Sequence, residues 1–378
     1  MRVLITGAGG FIGKNLVARL AEHGWIKVSI YDRRKGLSHL PALLENADIV
    51  IHLAGVNRAS KLDEFSEGNT VFTAQLCEAI SNLGKQMPII YSSSIQVEHE
   101  GIYSSSKLCA EEALKRLSKQ SGCPVHIYRL PNIFGKWAKP NYNSVVATFC
   151  YNIARDIQIK INDPKSPINL VYIDDLIDSF LELIGRKGAE GVSFEQVRPI
   201  YQLTVGKLAD LIQGFKESRE NLLVNSVGVG LVRAMYATYL SYLPKESFVY
   251  QLKKNSDARG VFVEMLKTEQ SGQFSYFTIL PGFTRGGHYH HTKTEKFFVV
   301  RGKAVFRFCH VATGETFESS VSDEDPQVVE TIPGWAHDVT NVGKSELFCM
   351  IWANEIYDLQ RPDTNIFPLQ PGKVEPAS

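Results

Sequence analysis

A tyrosine and a lysine stand four residues apart in the segment Tyr103-Ser104-Ser105-Ser106-Lys107. On a helix, side chains with this spacing share one face. A phenol with an unperturbed pKa of about 10 is a poor acid at neutral pH, and an adjacent ammonium that stabilises the phenolate makes it useful. Such a pair is common on protein surfaces, so its weight comes from its setting. The serine run Ser92-Ser93-Ser94 ends a predicted strand shortly before it.

The start of the chain is rich in glycine. An apolar run leads into Gly7-Ala8-Gly9-Gly10-Phe11-Ile12-Gly13 and then into a helical pattern. Glycines allow a tight turn and let backbone N–H groups approach a pyrophosphate at a helix N-terminus. An ordinary glycine-rich turn is the alternative, but a strand before the glycines and a helix after them form the setting that a dinucleotide site requires. The predicted cofactor-binding residues of this turn are Gly7, Gly10, Phe11, Ile12 and Gly13.

The second predicted strand ends in Tyr31-Asp32-Arg33-Arg34 and bears on which dinucleotide is used. An acidic residue here usually accepts hydrogen bonds from the adenosine ribose, whereas an arginine just after it can neutralise a 2′-phosphate. Two arginines are also typical of a solvated turn. We expect Asp32 and Arg33 to bind the cofactor and NADPH to be preferred, with NADH as the alternative.

Histidines are concentrated in the last third of the chain. His288 and His290 alternate on a predicted strand, which points both imidazoles to one face, and Glu295 and His337 follow. Imidazoles and a carboxylate suit a divalent transition metal such as Zn²⁺, although Mn, Fe and Ni take similar ligands. The alternative is a pair of surface histidines without a function. The spacing of the full motif and the presence of His337 argue against it. We predict a metal site formed by His288, His290, Glu295 and His337.

The elements that must position these residues differ between the two halves. Short β-branched runs alternate with helix-length segments in the first half, which predicts an α/β domain with a Rossmann-type, doubly wound parallel sheet. Beyond about residue 244, β-rich runs separated by Gly, Pro and Asp turns predict an all-β jelly-roll barrel. Residues 193–242 have a largely helical pattern and are assigned to the first domain. The predicted domains are 1–243 and 244–371, followed by a tail at 372–378.

Composition excludes several classes of protein. A chain of 378 residues with 44% hydrophobic and 21% charged residues is typical of two globular domains. The net charge of +1 gives no electrostatic reason to expect nucleic acid or an anionic membrane as a partner. The six scattered cysteines suit a reducing compartment. Neither a signal-peptide pattern nor a membrane-length apolar run is visible, so we expect a cytoplasmic protein.

The first half resembles the extended short-chain dehydrogenase/reductase family in its glycine spacing, its Tyr-x-x-x-Lys pair and the segment 129–135, Arg-Leu-Pro-Asn-Ile-Phe-Gly. In that family the last hydroxyl of the serine run polarises the substrate carbonyl. The resemblance implies that the catalytic residues are Ser94, Tyr103 and Lys107. It also implies that further cofactor contacts come from Leu53, Ala54, Gly55, Tyr103 and Lys107. His52, in the same segment, is expected to be structural.

The histidine-rich half resembles the cupin superfamily. Gly282 to Gly302 reads G-x5-H-x-H-x4-E-x6-G, which is the first cupin motif. The second motif, Pro-x-Gly-x-x-His, is altered because Ile332 holds the proline position, yet His337 stays in register. The segment Asp257–Glu264 resembles nucleotide-sugar 3,5-epimerases, cupins that remove a proton beside a ketone. His291 and a metal-bound water are the two candidate bases.

The order of these parts resembles the CapF family of capsular polysaccharide enzymes and its O-antigen relatives over nearly the whole chain. The most specific segment is Lys-Pro-Asn-Tyr-Asn-Ser at 139–144, and Tyr-Leu-Ser-Tyr-Leu-Pro at 239–244 follows. Ser104 replaces the glycine of the commoner Tyr-Gly-x-Ser-Lys form. The resemblance implies a UDP-linked 2-acetamido-2,6-dideoxy-4-keto-hexose that the cupin epimerises at carbon 3. The reductase then reduces carbon 4, giving the L-talose precursor of N-acetyl-L-fucosamine.

Two other functions are compatible with parts of this pattern. One is a single-activity 4-keto-sugar reductase whose cupin serves only folding or dimerisation. The other is a non-enzymatic sensor that binds dinucleotide and sugar. The intact Tyr103 and Lys107 pair argues against a sensor, and the intact metal-ligand set argues against a purely structural cupin. We also expect a homodimer.

Overall fold

The computed structural model describes residues 1–186, 190–252, 255–257, 260–262, 266–268, 272–355 and 360–369. The chain forms two compact units, one of residues 1–145 and 167–203 and the other of residues 146–166 and 204 onward. The boundary predicted at 243/244 marks where the β-rich part begins, and as a statement about independent folding it stays a prediction. The predicted tail at 372–378 lies outside the described residues.

Strands and helices alternate along the first part of the chain, as the sequence predicts. The strands are β1 Arg2–Thr6, β2 Lys27–Tyr31, β3 Ile49–His52, β4 Ile89–Ser94, β5 Val125–Leu130, β6 Asn132–Phe134, β7 Pro167–Tyr172, β8 Val192–Glu195 and β9 Tyr201–Thr204. The helices are α1 Phe11–Ala21, α2 Leu40–Glu45, α3 Asp63–Phe65, α4 Phe72–Leu83, α5 Ile102–Ser121, α6 Val145–Ile153 and α7 Ile173–Gly185. A π-helical turn at Ser66–Val71 joins α3 to α4.

The first unit is built on a six-stranded parallel sheet in the order β2-β1-β3-β4-β5-β8. The sheet is buried because helices cover it, and Leu4, Val50 and Ile89 pack with Leu76 of α4 and Leu114 of α5. The strand order reverses between β1 and β3. In such sheets ligands bind in the crevice outside the carboxyl ends of the strands at this reversal. A smaller sheet has the order β6-β7-β9.

The second unit contains helices and a β-rich part. The helices are α8 Val205–Asn221 and α9 Gly230–Leu240, in addition to most of α6. The strands are β10 Leu223–Val224, β11 Val249–Gln251, β12 Asn255–Asp257, β13 Gly260–Phe262, β14 Lys267–Thr268, β15 Gln273–Ile279, β16 Thr284–Tyr289, β17 Glu295–Arg301, β18 Lys303–His310, β19 Thr316–Ser322, β20 Gln327–Glu330, β21 Trp335–Asn341, β22 Leu347–Ala353 and β23 Asn365–Ile366. The helical pattern predicted for 193–242 is wrong at its start, where β8 and β9 pair with strands of the first unit.

Two five-stranded antiparallel sheets form the β-rich part, in the orders β11-β20-β17-β22-β15 and β19-β18-β21-β16-β23. Alternate residues of these strands face inward, and Phe297 of β17 and Phe306 of β18 meet with ring centroids 5.4 Å apart. His288 of β16 pairs directly with His337 of β21. The predicted fold class, a Rossmann-type sheet followed by a cupin-like jelly roll, is confirmed.

Candidate active sites

The glycine turn lies at the carboxyl ends of β1 and β3. Gly7 has a φ of +74°, and a Cβ on it would lie 2.5 Å from the backbone nitrogen of Ala54. A Cβ on Gly13 would lie 2.3 Å from the carbonyl oxygen of Gly7. Both neighbours are backbone, so only glycine fits, and the turn is held tightly against the residues that follow β3. Gly10 precedes the first residue of α1, which leaves the helix N-terminus facing the crevice.

The remaining predicted cofactor residues of this crevice lie on both sides of the glycine turn. Phe11 and Ile12 open α1 and are partly exposed, and Leu53 and Ala54 follow β3. A Cβ on Gly55 would lie 2.8 Å from the Oδ1 atom of Asn69 and 3.2 Å from the Nζ atom of Lys107. Glycine at positions 7, 13 and 55 thus lets the turn, helix α1 and the segment after β3 pack closely around one helix N-terminus, the arrangement that binds a dinucleotide pyrophosphate in Rossmann-type folds.

Asp32 forms an ion pair with the second of the two arginines that follow it, Arg34, and the cofactor roles predicted for Asp32 and Arg33 stay predictions. The Asp32 carboxylate accepts hydrogen bonds from the backbone nitrogen of Arg34 at 3.0 Å and from its Nε and Nη2 atoms at 3.0 and 2.7 Å. These bonds lower the pKa of Asp32 to about 2. Arg33, the predicted cofactor ligand, is exposed. The ion pair of this turn is therefore Asp32 with Arg34.

Tyr103 is placed by the start of α5 and Ser94 by the end of β4. The Tyr103 hydroxyl donates to Oδ1 of Asn57 at 2.8 Å. Partial burial raises the pKa of Tyr103, and a hydrogen bond with Ser94 opposes this effect. The phenol is therefore protonated at neutral pH and close to the serine hydroxyl. The structure brings these two predicted residues together, although the strand end and the helix start are separated by a loop.

Lys107 lies one turn further along α5 and is buried. Its Nζ atom donates to the carbonyl oxygen of Ser92 at 2.9 Å and lies 5.0 Å from the centre of the Tyr91 ring. Burial lowers the pKa of Lys107 to about 8, and the charge of Glu111 opposes this effect. The ammonium is thus anchored to the same strand end that carries Ser94.

Asn69 is a member of this site that the sequence analysis missed. It is buried in the π-helical turn, a feature that often marks functional positions. Its Oδ1 atom accepts from the backbone nitrogen of Val56 at 2.8 Å, and its Nδ2 atom donates to Oγ of Ser106 at 2.9 Å. Asn69 therefore joins the loop after β3 to helix α5. An asparagine inside a helical pattern is the signal that could have indicated it.

Glu111 and Arg129 form a second contact that the sequence did not reveal. Glu111 is fully buried and accepts from Oγ of Ser93 at 2.6 Å. Arg129, which begins the segment compared with the reductase family, donates to Glu111 from Nε at 3.1 Å and from Nη2 at 2.8 Å. These bonds fix α5 against the ends of β4 and β5.

His52 is a core residue of the first unit. Its Nδ1 atom lies 2.7 Å from the hydroxyl of Thr6, and its Nε2 atom lies 2.8 Å from the hydroxyl of Thr73. Complete burial lowers its pKa to about 3, so the ring is neutral. Both ring nitrogens are thus engaged in cross-links between neighbouring elements.

The four predicted metal ligands meet inside the β-rich part. One ligand atom from each of His288, His290, Glu295 and His337 lies within 4.8 Å of the others. The carboxylate of Glu295 lies 3.3 Å from Nε2 of His290 and 3.5 Å from Nε2 of His337. His288 and His337 are cross-strand partners, whereas His290 and Glu295 lie on either side of the connection from β16 to β17.

The chemistry of this donor set fits a divalent metal. Among the described residues, the buried ring of His337 makes no well-formed hydrogen bond, and its Nε2 atom lies 3.5 Å from the carboxylate of Glu295. Burial and the neighbouring imidazoles lower the pKa of His288 to about 3, so its ring is neutral, as a ligand must be. Nδ1 of His290 contacts the carbonyl oxygen of Asp363, which leaves Nε2 toward the other ligands.

Asp363 and Lys293 surround this donor set. The Asp363 carboxylate accepts from the backbone nitrogens of His291 at 2.9 Å and of Thr292 and Lys293 at 2.7 Å. Lys293 reaches back to Glu295 with an Nζ–Oε1 distance of 3.0 Å. His291, a candidate base, is buried in this loop. Much of the segment compared with 3,5-epimerases, including Arg259 and Glu264, lies outside the described residues.

Comparison with known proteins agrees with this two-part arrangement. Residues 3–195 match the NAD dependent epimerase/dehydratase family, and residues 255–365 match the polysaccharide biosynthesis C-terminal domain. The chain is 52% identical over 364 residues to the UDP-2-acetamido-2,6-beta-L-arabino-hexul-4-ose reductase of Pseudomonas aeruginosa, covering 96% of this chain and 98% of that protein. The capsular polysaccharide assembling protein CapF of Staphylococcus aureus has a crystal structure that matches with a TM-score of 0.67 and 40% identity, over 98% of this chain and all of that one. The chain belongs to the CapF family.

Membership of the CapF family confirms the family resemblance given by the sequence. A second crystal structure, of UDP-glucuronic acid 4-epimerase from Bacillus cereus, covers 57% of this chain with a TM-score of 0.51 at 20% identity and shares the fold alone. In the described part of this CapF-family chain, every helix is too short or too polar to span a lipid bilayer.

Proposed function

We propose that this protein is a nucleotide-sugar enzyme with two activities, a 3-epimerase in the cupin and a 4-ketoreductase in the Rossmann-type domain. One observation carries the proposal. The β-rich part holds four side chains that could bind a metal, and the first unit holds a tyrosine close to a serine hydroxyl and a buried lysine anchored to the same strand end. A reductase alone would need only the second of these groups.

Reduction at carbon 4 uses the residues around Tyr103. Bound NADPH would supply the hydride. Ser94 hydrogen-bonds the carbonyl oxygen, and the protonated hydroxyl of Tyr103 donates its proton to that oxygen as negative charge develops there. The buried ammonium of Lys107 stabilises the phenolate that results, because charges interact strongly where water is excluded. Asn57 holds the phenol until a substrate replaces it.

Epimerisation at carbon 3 uses the cupin. His288, His290, Glu295 and His337 would hold a divalent metal, with Zn²⁺ as the proposed ion. Such a cation lowers the barrier for removing a proton beside a ketone, because negative charge develops on the carbonyl oxygen. Asp363 and the backbone it holds fix the orientation of His290.

The chemistry dictates the order of the two steps. The proton on carbon 3 is acidic only while carbon 4 is a ketone, since the neighbouring carbonyl accepts the charge. After hydride addition that acidity is lost. Epimerisation therefore precedes reduction, and the reductase makes the result permanent.

The proposed substrate is a UDP-linked 2-acetamido-2,6-dideoxy-4-keto-hexose, and the product is UDP-2-acetamido-2,6-dideoxy-L-talose, a precursor of N-acetyl-L-fucosamine for capsule or O-antigen. The Pseudomonas aeruginosa relative is named as a reductase of a UDP-linked hexul-4-ose, which supports a ketone at carbon 4. The homodimer and the cytoplasmic location expected from the sequence stay predictions.

The second candidate is a single-activity 4-keto-sugar reductase with a structural or dimerising cupin. The name of the Pseudomonas aeruginosa relative, which mentions reduction only, favours it. Product analysis separates the two candidates. The full chain is incubated with NADPH and each carbon-3 epimer of the UDP-4-keto sugar, and the products are identified by NMR.

An enzyme with both activities should form the same reduced sugar from either carbon-3 epimer. A single reductase would give two products that differ at carbon 3, or would leave one epimer unreacted. Tyr103→Phe is the matched control, because it removes the acid while keeping the ring.

A further inference from the structure

The turn after β2 contains two arginines that differ in their surroundings. Arg34 grips Asp32 with Nε and Nη2, while its backbone nitrogen donates to the same carboxylate. The side chain of Arg34 is 87% exposed, so no burial forces it into this position. Among the described residues Arg33 has no ion-pair partner and is exposed. The two neighbouring cations therefore differ in the groups that they contact.

Asp32 is held in place by the local backbone. It precedes a short 3-10 turn at Arg33–Lys35, and its carboxylate caps that turn through the bond to the backbone nitrogen of Arg34. Rotating the carboxylate away would break the cap and the paired bonds to the guanidinium. The carboxylate consequently stays at the end of β2, where the adenosine ribose of a dinucleotide lies.

An unpaired carboxylate in this position favours NADH. It accepts hydrogen bonds from both ribose hydroxyls of NADH, whereas a 2′-phosphate brings a second negative charge close to it. A carboxylate already paired with an arginine has its charge compensated and its oxygens occupied. Such a paired carboxylate repels a 2′-phosphate less strongly, and it accepts hydrogen bonds from the ribose hydroxyls less readily.

We infer that Arg34 determines the cofactor preference of this chain indirectly, by occupying Asp32, and leaves Arg33 as the cation that the sequence predicts to meet the 2′-phosphate. The inference rests on the proposed use of a nicotinamide dinucleotide. Arg34 is a specificity-determining residue that acts through a neighbour, and it need not touch the cofactor. This assignment predicts that variants of the two adjacent arginines differ in their effect on NADH binding.

Direct binding tests the inference without any turnover. Dissociation constants of the full-length protein for NADPH and NADH are measured by nicotinamide fluorescence in the absence of sugar. Arg34→Gln should weaken the binding of NADPH and strengthen the binding of NADH. The ratio of the two dissociation constants should change by about tenfold or more, because the substitution leaves the single negative charge of Asp32 uncompensated. Arg33→Ala should weaken NADPH and leave NADH unchanged.

A double variant separates an indirect effect from a direct one. When Asp32→Asn has removed the charge, adding Arg34→Gln should change the NADPH to NADH ratio little, because nothing remains for Arg34 to occupy. If Arg34→Gln still weakens NADPH binding when it is combined with Asp32→Asn, Arg34 contacts the phosphate directly. That result would overturn the inference. An unchanged ratio in Arg34→Gln would also overturn it. Failure of the parent protein to bind either dinucleotide would instead sink the proposed reductase, and this inference with it.

Discussion

The Lys107 ammonium and the Glu111 carboxylate are both buried, one helical turn apart on the same face of α5. The two side chains grip neighbouring residues of β4, because Lys107 donates to the carbonyl of Ser92 and Glu111 accepts from the hydroxyl of Ser93. The negative charge of Glu111 raises the pKa of Lys107, against the larger lowering by burial. Helix α5 thus fixes the strand end that carries Ser94 and also adjusts the proposed catalytic lysine.

Glu111→Gln should shift the pH profile of reduction. Lys107 has a pKa of about 8, so its ammonium is present below that pH and is lost as pH rises through it. Without the charge of Glu111 the pKa falls further, and the alkaline decline of kcat/KM should begin at lower pH. Glu98→Gln is the matched control, because Glu98 bonds Arg129 from an exposed position. An alkaline decline at the same pH in parent and Glu111→Gln would contradict this role.

Tyr103→Phe should abolish reduction while leaving cofactor binding nearly intact. Removing the proton donor should lower kcat by about 100-fold or more. The ring and its edge-on contact with Phe65, at a centroid distance of 5.7 Å, are kept. NADPH oxidation measures the first effect and nicotinamide fluorescence the second. Turnover at the parental rate would show that another group donates the proton.

Gly13→Ala should destabilise the first unit, whereas Gly9→Ala should not. The new methyl group at position 13 would lie 2.3 Å from the carbonyl oxygen of Gly7, and backbone cannot move aside cheaply. At position 9 nothing lies within 4 Å. We expect a loss of about 1–3 kcal/mol for Gly13→Ala, as for overpacked sites. Melting temperatures of the two variants check this, and equal values would contradict the close packing of the turn.

Glu330→Gln should destabilise the second unit. Lys296 of β17 and Glu330 of β20 are cross-strand partners, both buried, and Arg219 of α8 contacts the same carboxylate. Removing the carboxylate leaves two cations uncompensated, at a cost of about 3–5 kcal/mol. The exposed pair of Arg301 with Glu346 offers the control, since Glu346→Gln should cost about 0–1 kcal/mol. Urea unfolding midpoints compare the variants, and similar shifts in both would refute the difference.

Local patterns in the sequence were sufficient for much of the fold. The glycine turn, the parallel strands of the first half and the strands that carry His288 and His337 follow from periodicity and turn residues within short segments. The strands β8 and β9 were missed because edge strands are short, and their neighbours in sequence are helical. Their pairing is decided by the sheet and not by their own composition.

Contacts between distant segments could not be predicted from the sequence. Asn69 reaches the loop after β3, Glu111 meets Arg129, and Asp363 holds the loop that carries His290. Each contact joins elements whose proximity depends on strand order and helix packing. Two adjacent arginines follow Asp32, and the sequence does not show which of them pairs with it. The shape of a single turn makes Arg34 the partner.

The central claim, that epimerisation and reduction use different residues of one chain, is tested most directly by deuterium exchange at carbon 3. The 4-keto sugar is incubated in deuterated water with Tyr103→Phe and, separately, with the double variant His290→Ala, Glu295→Ala. The first should incorporate deuterium at carbon 3 without reducing the ketone. The second should not incorporate it, yet should still reduce a pre-epimerised ketone, which also shows that its reductase is folded. Exchange at the parental rate in the metal-ligand variant, or loss of exchange in Tyr103→Phe, would contradict the account.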